Sequence, residues 1–562
     1  MTRPGRSGSG GDSQRLPVPV TDRPAADLMT DVVIVGSTPG ALCAAIACRQ
    51  AGLEVLVAEP SGQLGGIAAT RGGRLWLPGR DGPTADDYAS ARDYFDRVVG
   101  DFEPCSSAPR RHAFLTGTAG LASWLASLGV DLEPDSAGDA YPDIPGALAS
   151  GRVLRPALVE TTAIGRLVEF LPAGGGSGTD GVLDKLEHGA RRVGEFALGR
   201  RWGGGALALE SALLAVCQRL QVNIWWQAPV RRLVVTSTGN DFETAERVAG
   251  VVVDRGGRTV RVLAGRGVVL AEGGFEADAA LRREFLPRPS RPDWTIGLPS
   301  RAGADQLEWA GELGLGLAGM GYAWWRPGLW APGVPVQDAG RSLAVPHGFV
   351  VDSTGRRFVN EACAGVDFCR ALYARFNDLG PQMSAWLIVD SDHRRRYPLG
   401  DVEPGRLPRA AEKSGFVTTA STLPELAWKI KVDASGLQAT AGRFERHAAD
   451  GNDEDFQRGA GTADRARGDR KARPNPCLGA VSKPPFYAVR VVPADLGTKG
   501  GLLTDEFSRV LRADGGPMPG LWAIGSAASS VTGPADPAPG VGLAEAMVAG
   551  RAAAASIAAS AW

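Results

Sequence analysis

Six consecutive residues, Gly36-Ser37-Thr38-Pro39-Gly40-Ala41, followed by an acid at Glu59, are of the types and at the spacing that hold a phosphate and a ribose. A glycine turn lets backbone N–H groups approach an anion. The next helix adds the positive end of its dipole, and the acid accepts from ribose hydroxyls. The fingerprint is degenerate. Read as G-x-G-x-x-G from Gly36, its second glycine is Thr38, its third is Ala41, and a glycine is displaced to Gly40. Ala41 still permits close packing of helix on strand. Thr38 adds a Cβ where a phosphate would approach, although its hydroxyl can donate to that phosphate. By itself the pattern also fits a plain βαβ packing unit.

The elements that must carry these residues follow from periodicity. Val32 to Val35 is a β-branched run with no polar side chain, as a strand buried on both faces requires. Small residues from Ala41 to Ala51 predict a helix, and Val55 to Ala58 predicts a second strand ending on Glu59. Paired glycines at Gly65-Gly66 suit a loop running along a pyrophosphate. Helices are predicted over 92–100, 112–128 and 206–220, and strands over 223–226 and 231–235. Strands at 251–254 and 259–263 flank Arg255-Gly-Gly257 as a hairpin, and 268–271 predicts a further buried strand leading to Gly273-Gly274. Near the C-terminus, Gly520 to Gly525 reads as a strand meeting a glycine, and a helix starts after Gly540. Such a junction can aim a helix N-terminus at an electron-rich group; it also fits an ordinary strand–turn–helix. The polar stretch 450–469 reads as a surface excursion.

Composition narrows the class. The 562 residues exceed one simple core, and 44% hydrophobic with 22% charged residues is ordinary for a globular protein. A formal net charge of −1 gives no global field to recruit nucleic acid or an anionic membrane. Seven cysteines without a C-x-x-C pair, and scattered histidines, argue against a disulfide framework and a structural zinc site. A reducing, cytoplasmic setting fits. Residues 1–27, rich in Gly, Ser, Arg and Pro, read as a disordered tail without a signal sequence. No run approaches the ~18 apolar residues of a membrane span, and 544–559 reads as a packed helix.

Beyond the tail the chain resembles the flavoprotein family of fumarate reductase flavoprotein subunits and, more closely, 3-ketosteroid Δ1-dehydrogenases. The resemblance is carried by Gly65-Gly66 through Trp76-Leu-Pro78, Glu272-Gly-Gly-Phe275, Ala323-Trp-Trp325 and Gly355-Arg-Arg-Phe-Val-Asn-Glu361. Its most specific stretches are Pro485-Phe-Tyr-Ala-Val489, Asp495-Leu-Gly-Thr-Lys-Gly-Gly501 and Pro519-Gly-Leu-Trp-Ala-Ile-Gly525. It implies an α/β architecture: a Rossmann-like FAD-binding domain from 28–278 and 481–562, with an inserted α+β catalytic domain at 279–480. It implies non-covalent FAD. The cofactor residues expected are Gly36, Ser37, Thr38, Gly40, Ala41, Glu59, Pro60, Gly65, Gly66, Ile67, Ala68, Ala69, Val230, Gly273, Gly525, Ser526, Gly540, Gly542 and Leu543.

Departures fall in the catalytic pocket. The family's tyrosine that holds the substrate carbonyl, in a Tyr-Pro-Gly-Pro-Gly segment, is Asp536 here, while the partnering glycine survives as Gly540. The proton-abstracting tyrosine maps to Gly365, about where fumarate reductases carry an arginine donor. The supporting tyrosine maps to Ile144, with Tyr141 close enough to substitute if the loop shifts. Asp536 is the leading replacement base, with a turn-stabilising Asp before Pro as the alternative. Tyr322 and Asp367 are weaker candidates, and Tyr487 and Lys499 carry no assigned catalytic role.

The resemblance implies an FAD-dependent enzyme desaturating, or in reverse reducing, a C–C bond beside a carbonyl in a bulky cyclic substrate. Steroid-like, terpenoid or polyketide-like bodies suit Ile144 and the nearby tryptophans. Electrons are expected to pass to a quinone or another acceptor, because no second nucleotide fingerprint for NAD(P)H is found. Two alternatives stand beside this: a tailoring or aromatising oxidation with Asp536 as base, and a flavin-binding protein without redox turnover.

Overall fold

The computed structural model describes residues 28–70, 72–80, 86–172, 202–240, 243–297 and 302–560. The expected disordered tail, 1–27, lies outside the described residues. The chain begins with β1 (Leu28–Val35), α1 (Pro39–Gln50) and β2 (Val55–Ala58). Helices α2 (Tyr88–Val99) and α3 (Ala108–Ser127) follow, each starting before its expected onset, with Asp87 and Ser107 at their N-cap positions. After α4 (Gly205–Arg219) come β3 (Asn223–Trp225), β4 (Val230–Asn240), β5 (Glu243–Arg255) and β6 (Arg258–Leu270).

These strands build an eight-stranded sheet completed from the far end of the chain. Strand β1 pairs parallel with β2 and β6, and β2 pairs parallel with β3. The alternation in β1 explains its composition. Val33 and Val35 point into one hydrophobic cluster and Val32 and Ile34 into another, all fully buried. A strand covered on both faces has no place for a polar side chain. The hairpin expected around Gly256-Gly257 is present, with Arg255 opposite Arg258. The strands expected at 259–263 and 268–271 are one continuous strand, β6. It pairs antiparallel with β5 over 258–263 and parallel with the strand Pro517–Ala523 over 268–270, and β1 runs beside it across the junction with a register shift between Ala264 and Gly267.

The second sheet is six-stranded and antiparallel. It contains β7 (Ala323–Ala331), β8 (Val334–Asp338), β9 (Gly348–Val351), β10 (Ala385–Val389), β11 (Thr418–Ala420) and β12 (Phe486–Thr498), with α5 (Gly365–Leu379) packed on it. Strand β12 is central, pairing with β7 and β10. The stretch from 481 assigned by sequence to the dinucleotide unit therefore first supplies a strand to the other sheet. The chain then returns through β13 (Arg509–Leu511) and β14 (Pro517–Ala523), which extend the first sheet beside β6, and ends in α6 (Val541–Ala559).

Two expectations are corrected here. The polar stretch 450–469 is not merely a solvated face, because Asp453, Arg458 and Asp464 are buried. Arg357 pairs with Glu361 and Asp453, each at 2.8 Å, and Arg458 pairs with Glu361 at 3.2 Å. Opposite charges meeting in register let a charged segment fold inward. Helix α6 is long and apolar enough by composition to cross a membrane, which the sequence reading did not allow; half of it is buried inside the chain, packed on α1 and α3. All seven cysteines are free thiols.

Candidate active site

A cavity of ≈ 1410 Å³ is walled by second-sheet residues such as Arg326 and Asp338 and by turns beyond the strand ends of the first sheet, such as Ala271 and Gly525. On one side it meets the turn after β1. Gly36 there has φ +102°, and a Cβ would stand 2.6 Å from the Ala271 carbonyl oxygen at the end of β6. Only glycine meets both conditions without strain. The Ser37 N–H and hydroxyl donate to Glu59 Oε2 at 3.0 and 2.6 Å, and the Gly65 N–H donates to the Ser37 hydroxyl at 2.9 Å. Ser61 N–H reaches Glu59 Oε1 at 2.8 Å. One buried carboxylate thus ties the glycine turn, the end of β2 and the Gly65 loop together. Burial pushes the Glu59 carboxyl up, and these donors pull against it.

Thr38 and Gly40 behave differently from the fingerprint's expectation. Thr38 is the N-cap of α1, its hydroxyl oxygen accepting from the Ala41 N–H at 3.4 Å, which leaves its hydrogen free to donate. The displaced Gly40 serves helix packing: a Cβ would stand 2.7 Å from the Ala546 carbonyl oxygen of α6. Thr38, Gly40, Ile67, Ala68, Gly273, Gly525, Ser526, Gly540, Gly542 and Leu543 line the cavity. Gly36, Ser37, Ala41, Glu59, Pro60, Gly65, Gly66 and Ala69 do not line it. Val230 is buried in the hydrophobic core of the first sheet, opposite Val253. Sequence reasoning missed Glu210 of α4, which is fully buried beside Gly65. Neither of its carboxyl oxygens has a hydrogen-bond partner among the described residues, and burial, aided by Glu59, pushes it well above the usual carboxylate range.

Helix α6 begins at the cavity wall. Gly540 is its N-cap with φ +89°, and a Cβ there would collide with the Arg74 carbonyl oxygen. The first N–H groups of a helix have no intrahelical acceptor, so this terminus and that of α1 both present donors and positive dipole ends to one cavity.

The loop 532–540 that leads into α6 is held from several directions. The buried Lys499 ammonium donates to the Thr532 hydroxyl at 2.8 Å and to the carbonyls of Gly533 (3.1 Å) and Ala535. Arg370 reaches the Pro534 carbonyl at 2.8 Å, and the Tyr94 hydroxyl reaches that of Pro537 at 2.6 Å. Burial lowers Lys499 to about 8, with Asp536 and Glu545 opposing. Its Nζ also sits 3.9 Å from the centroid of the Trp324 ring. Lys499 and Tyr94 carried no role in the sequence, because their partners are mostly backbone carbonyls that no motif reveals.

Asp536 lines the cavity, 13% exposed, with its Oδ2 3.4 Å from Nη2 of Arg326. Arg326 lies on the cavity side of β7, between the buried Trp325 and Pro327. A Cβ on Gly365 would meet Arg326 Cδ and Nη1 at 3.2 Å each. A side chain at 365 would therefore press on the Arg326 side chain, which would have to shift.

The tyrosine candidates are not brought to this wall. The Tyr141 hydroxyl donates to Asp367 Oδ2 at 2.9 Å, and together with Ile144 these residues line a separate cavity of ≈ 240 Å³. Burial, then Asp367, pushes the Tyr141 phenol well above its usual range, which keeps it a donor and unsuits it as a base. Tyr322 packs edge-on against Phe102, ring centroids 5.6 Å apart, outside the cavity wall. Of the clustered tryptophans only Trp324 lines the cavity; Trp325 packs on Tyr373 and Trp330 on Trp294.

Comparison with known proteins accords with this architecture. The FAD binding domain family matches residues 31–543. The chain is 33% identical to a 3-oxosteroid 1-dehydrogenase of Mycobacterium tuberculosis over 94% of this chain and 98% of that one. It is also 33% identical to a 4-oxocyclohexanecarboxylate 2-dehydrogenase of Sinomonas cyclohexanicum, over 92% of this chain and 91% of that one. The crystal structure of 3-ketosteroid delta1-dehydrogenase from Sterolibacterium denitrificans, in complex with 1,4-androstadiene-3,17-dione, superposes with a TM-score of 0.89 at 32% identity. That match covers 95% of this chain and all of the other.

The residues present fit FAD. The cavity exceeds the roughly 300–1,000 Å³ of an ordinary small-molecule site. Two helix N-termini face it, and it is bordered by a glycine turn whose Cβ space is closed and whose adjoining acid is buried and hydrogen-bonded. The chain belongs to the FAD-dependent flavoprotein family of 3-ketosteroid Δ1-dehydrogenases and is an oxidoreductase acting on CH–CH groups.

Proposed function

We propose that the enzyme desaturates, or in reverse reduces, the C–C bond adjacent to the carbonyl of a cyclic ketone. The observation that carries this reading is the meeting of the α6 N-terminus at Gly540 with the carboxylate of Asp536 in one cavity. The relatives named above, which act on a steroid ketone and on a cyclohexanone carboxylate, support a ring ketone as the substrate class.

In this reading the α1 turn, with Thr38 and the Gly65 loop, holds the pyrophosphate, and Glu59 takes a ribose hydroxyl. FAD, when bound, supplies a two-electron hydride acceptor. The carbon next to the carbonyl loses its proton to Asp536, and the next carbon gives up hydride, so the product is two hydrogens poorer and holds a new C=C bond. Gly540, at the start of α6, supplies an N–H to the carbonyl oxygen, where negative charge grows as the proton leaves. Lys499, Arg370 and Tyr94, by fixing loop 532–540, hold Asp536 and Gly540 in place. A quinone-class acceptor is the proposed destination of the electrons. We place 279–498, through the end of β12, in the catalytic unit, because β12 pairs with β7 and β10, and the remainder in the FAD-holding unit.

Anaerobic mixing of the FAD-loaded enzyme with ring ketones tests the proposal. The panel comprises 3-ketosteroids, 4-oxocyclohexanecarboxylate and larger cyclic enones. Loss of flavin absorbance, with a product two hydrogens lighter, is expected for at least one. An enzyme that dithionite reduces but no ring ketone reduces would refute it. With a working ketone in hand, Asp536→Asn should lower turnover about 10²–10⁴-fold if Asp536 is the base.

A further inference from the structure

We infer that Arg326 is a catalytic residue, the hydrogen-bond donor that takes the carbonyl oxygen of the substrate as it becomes an enolate. The inference rests on the ring-ketone reading above and supplies what that reading lacks on the side of the oxygen facing away from Gly540.

The first support is an imbalance. A guanidinium carries five N–H donors in a planar fork. Arg326 has one partner among the described residues, Asp536, and at 3.4 Å that contact is a loose ion pair. Its side chain is 29% exposed, on the wall of the cavity. Burial disfavours its charge, yet Asp536 and Asp338 more than offset this and raise its pKa, so it remains a cation. A charged fork on a cavity wall with its donors unspent is built for an anionic oxygen.

The second support is steric. Asp536 occupies the place where the resemblance requires a carbonyl-holding hydroxyl. A carboxylate only accepts, so it cannot hold an enolate oxygen. Gly365 brings no side chain, and its Cβ position lies 3.2 Å from Arg326 Nη1. A side chain at 365 and Arg326 compete for the same space. The guanidinium borders both positions, 3.4 Å from Asp536 at the carbonyl-holding place and 3.2 Å from the Cβ position of Gly365, so it brings a donor to the place where Asp536 offers none, while Asp536 receives the proton. Charge is conserved: the proton moves from carbon to Asp536, and the electron pair it leaves is delocalised onto an oxygen facing Arg326.

Equilibrium binding of an enolate mimic tests this without turnover. The FAD-loaded enzyme is titrated with 4-nitrophenol and the bound species read from its absorbance. The ligand should bind as phenolate with a lowered pKa. Arg326→Ala should weaken phenolate binding about 10²-fold and Arg326→Lys less, with nitrobenzene binding unchanged. Asp536→Asn should tighten it, by removing a like charge. Unchanged phenolate binding in Arg326→Ala, or equal loss of nitrobenzene, would overturn the inference. So would Arg326-dependent binding of cyclohexanecarboxylate tighter than that of phenolate, which assigns the guanidinium to a substrate carboxylate. If no ring ketone reduces the flavin yet phenolate binding depends on Arg326, the ring-ketone reading fails and the oxyanion site stands.

Discussion

Two arginine–carboxylate clusters sit on or beside the second sheet, and they are built in opposite ways. Arg458 spends its guanidinium on the carbonyls of Gly348, Leu343 and Val345 and on Glu361. Arg357 adds bidentate contacts to both Glu361 and Asp453. Every charge there is buried and paired, with Arg458 Nε the one guanidinium donor of the two arginines that finds no partner among the described residues, and the pairing with Arg357 and Arg458 overcomes burial to hold Glu361 below the usual carboxylate range. The pair Arg326–Asp536 has one loose contact and faces a cavity. Glu361 touches the same cavity, but its carboxylate is already held by Arg357 and Arg458, so the first cluster closes a fold and the second keeps its donors for a guest. A charged pair declares its role less by its presence than by how many of its donors remain unspent.

The largest effect should come from unbalancing the closed cluster. Glu361→Gln leaves two buried guanidiniums short of a charge and should cost about 3–5 kcal/mol of stability, read as the urea midpoint. A loss under about 1 kcal/mol would erase the distinction between the clusters. Arg326→Ala is expected to do the reverse. Its cost in stability should stay below about 1 kcal/mol, while kcat/KM for a ring ketone falls about 10²–10³-fold.

Smaller, and more diagnostic, is the coupling between positions 326 and 365. Gly365→Tyr alone overpacks against Arg326 and should cost about 1–3 kcal/mol. Adding Arg326→Gly should recover part of that, giving a coupling of about 0.5–3 kcal/mol in a double-mutant cycle. Strict additivity would mean that the two side chains do not compete for one space.

The remaining change concerns Lys499, which belongs to neither cluster but holds the loop bearing Asp536. Folding lowers its pKa from 10.5 to about 8. Between those values the unfolded chain binds more protons, so stability should rise with pH above about 8, having been flat in this respect below it. The slope is at most about 1.4 kcal/mol per pH unit. Urea midpoints between pH 7 and 10 should show the rise in the parent enzyme and not in Lys499→Met.

What could be read in the chain itself was local. The turn at Gly36, the acid at Glu59 and the hairpin at Gly256-Gly257 were legible because strand, turn and helix are written in contiguous residues and each glycine answers to its own backbone. The same locality misled where one residue type serves two ends. Gly40 lines the cavity and also packs a helix crossing that the sequence did not reveal, since its neighbour Ala546 comes from the other end of the chain. The stretch 450–469 resembled a solvated face because its charges were visible and their partners, Arg357 and Glu361, were not.

Family, cofactor and the loss of the expected tyrosines at 365 and 536 were determined by sequence alone. Spacing and residue type along a chain suffice to specify a βαβ turn and to register an absence. What replaces those tyrosines was decided only by the tertiary structure. Arg326 reaches Gly365 and Asp536 because β7 lies against the start of α5 and faces the loop before α6. No local periodicity encodes a meeting between three segments so far apart in the chain; packing alone puts a cation where a phenol was lost.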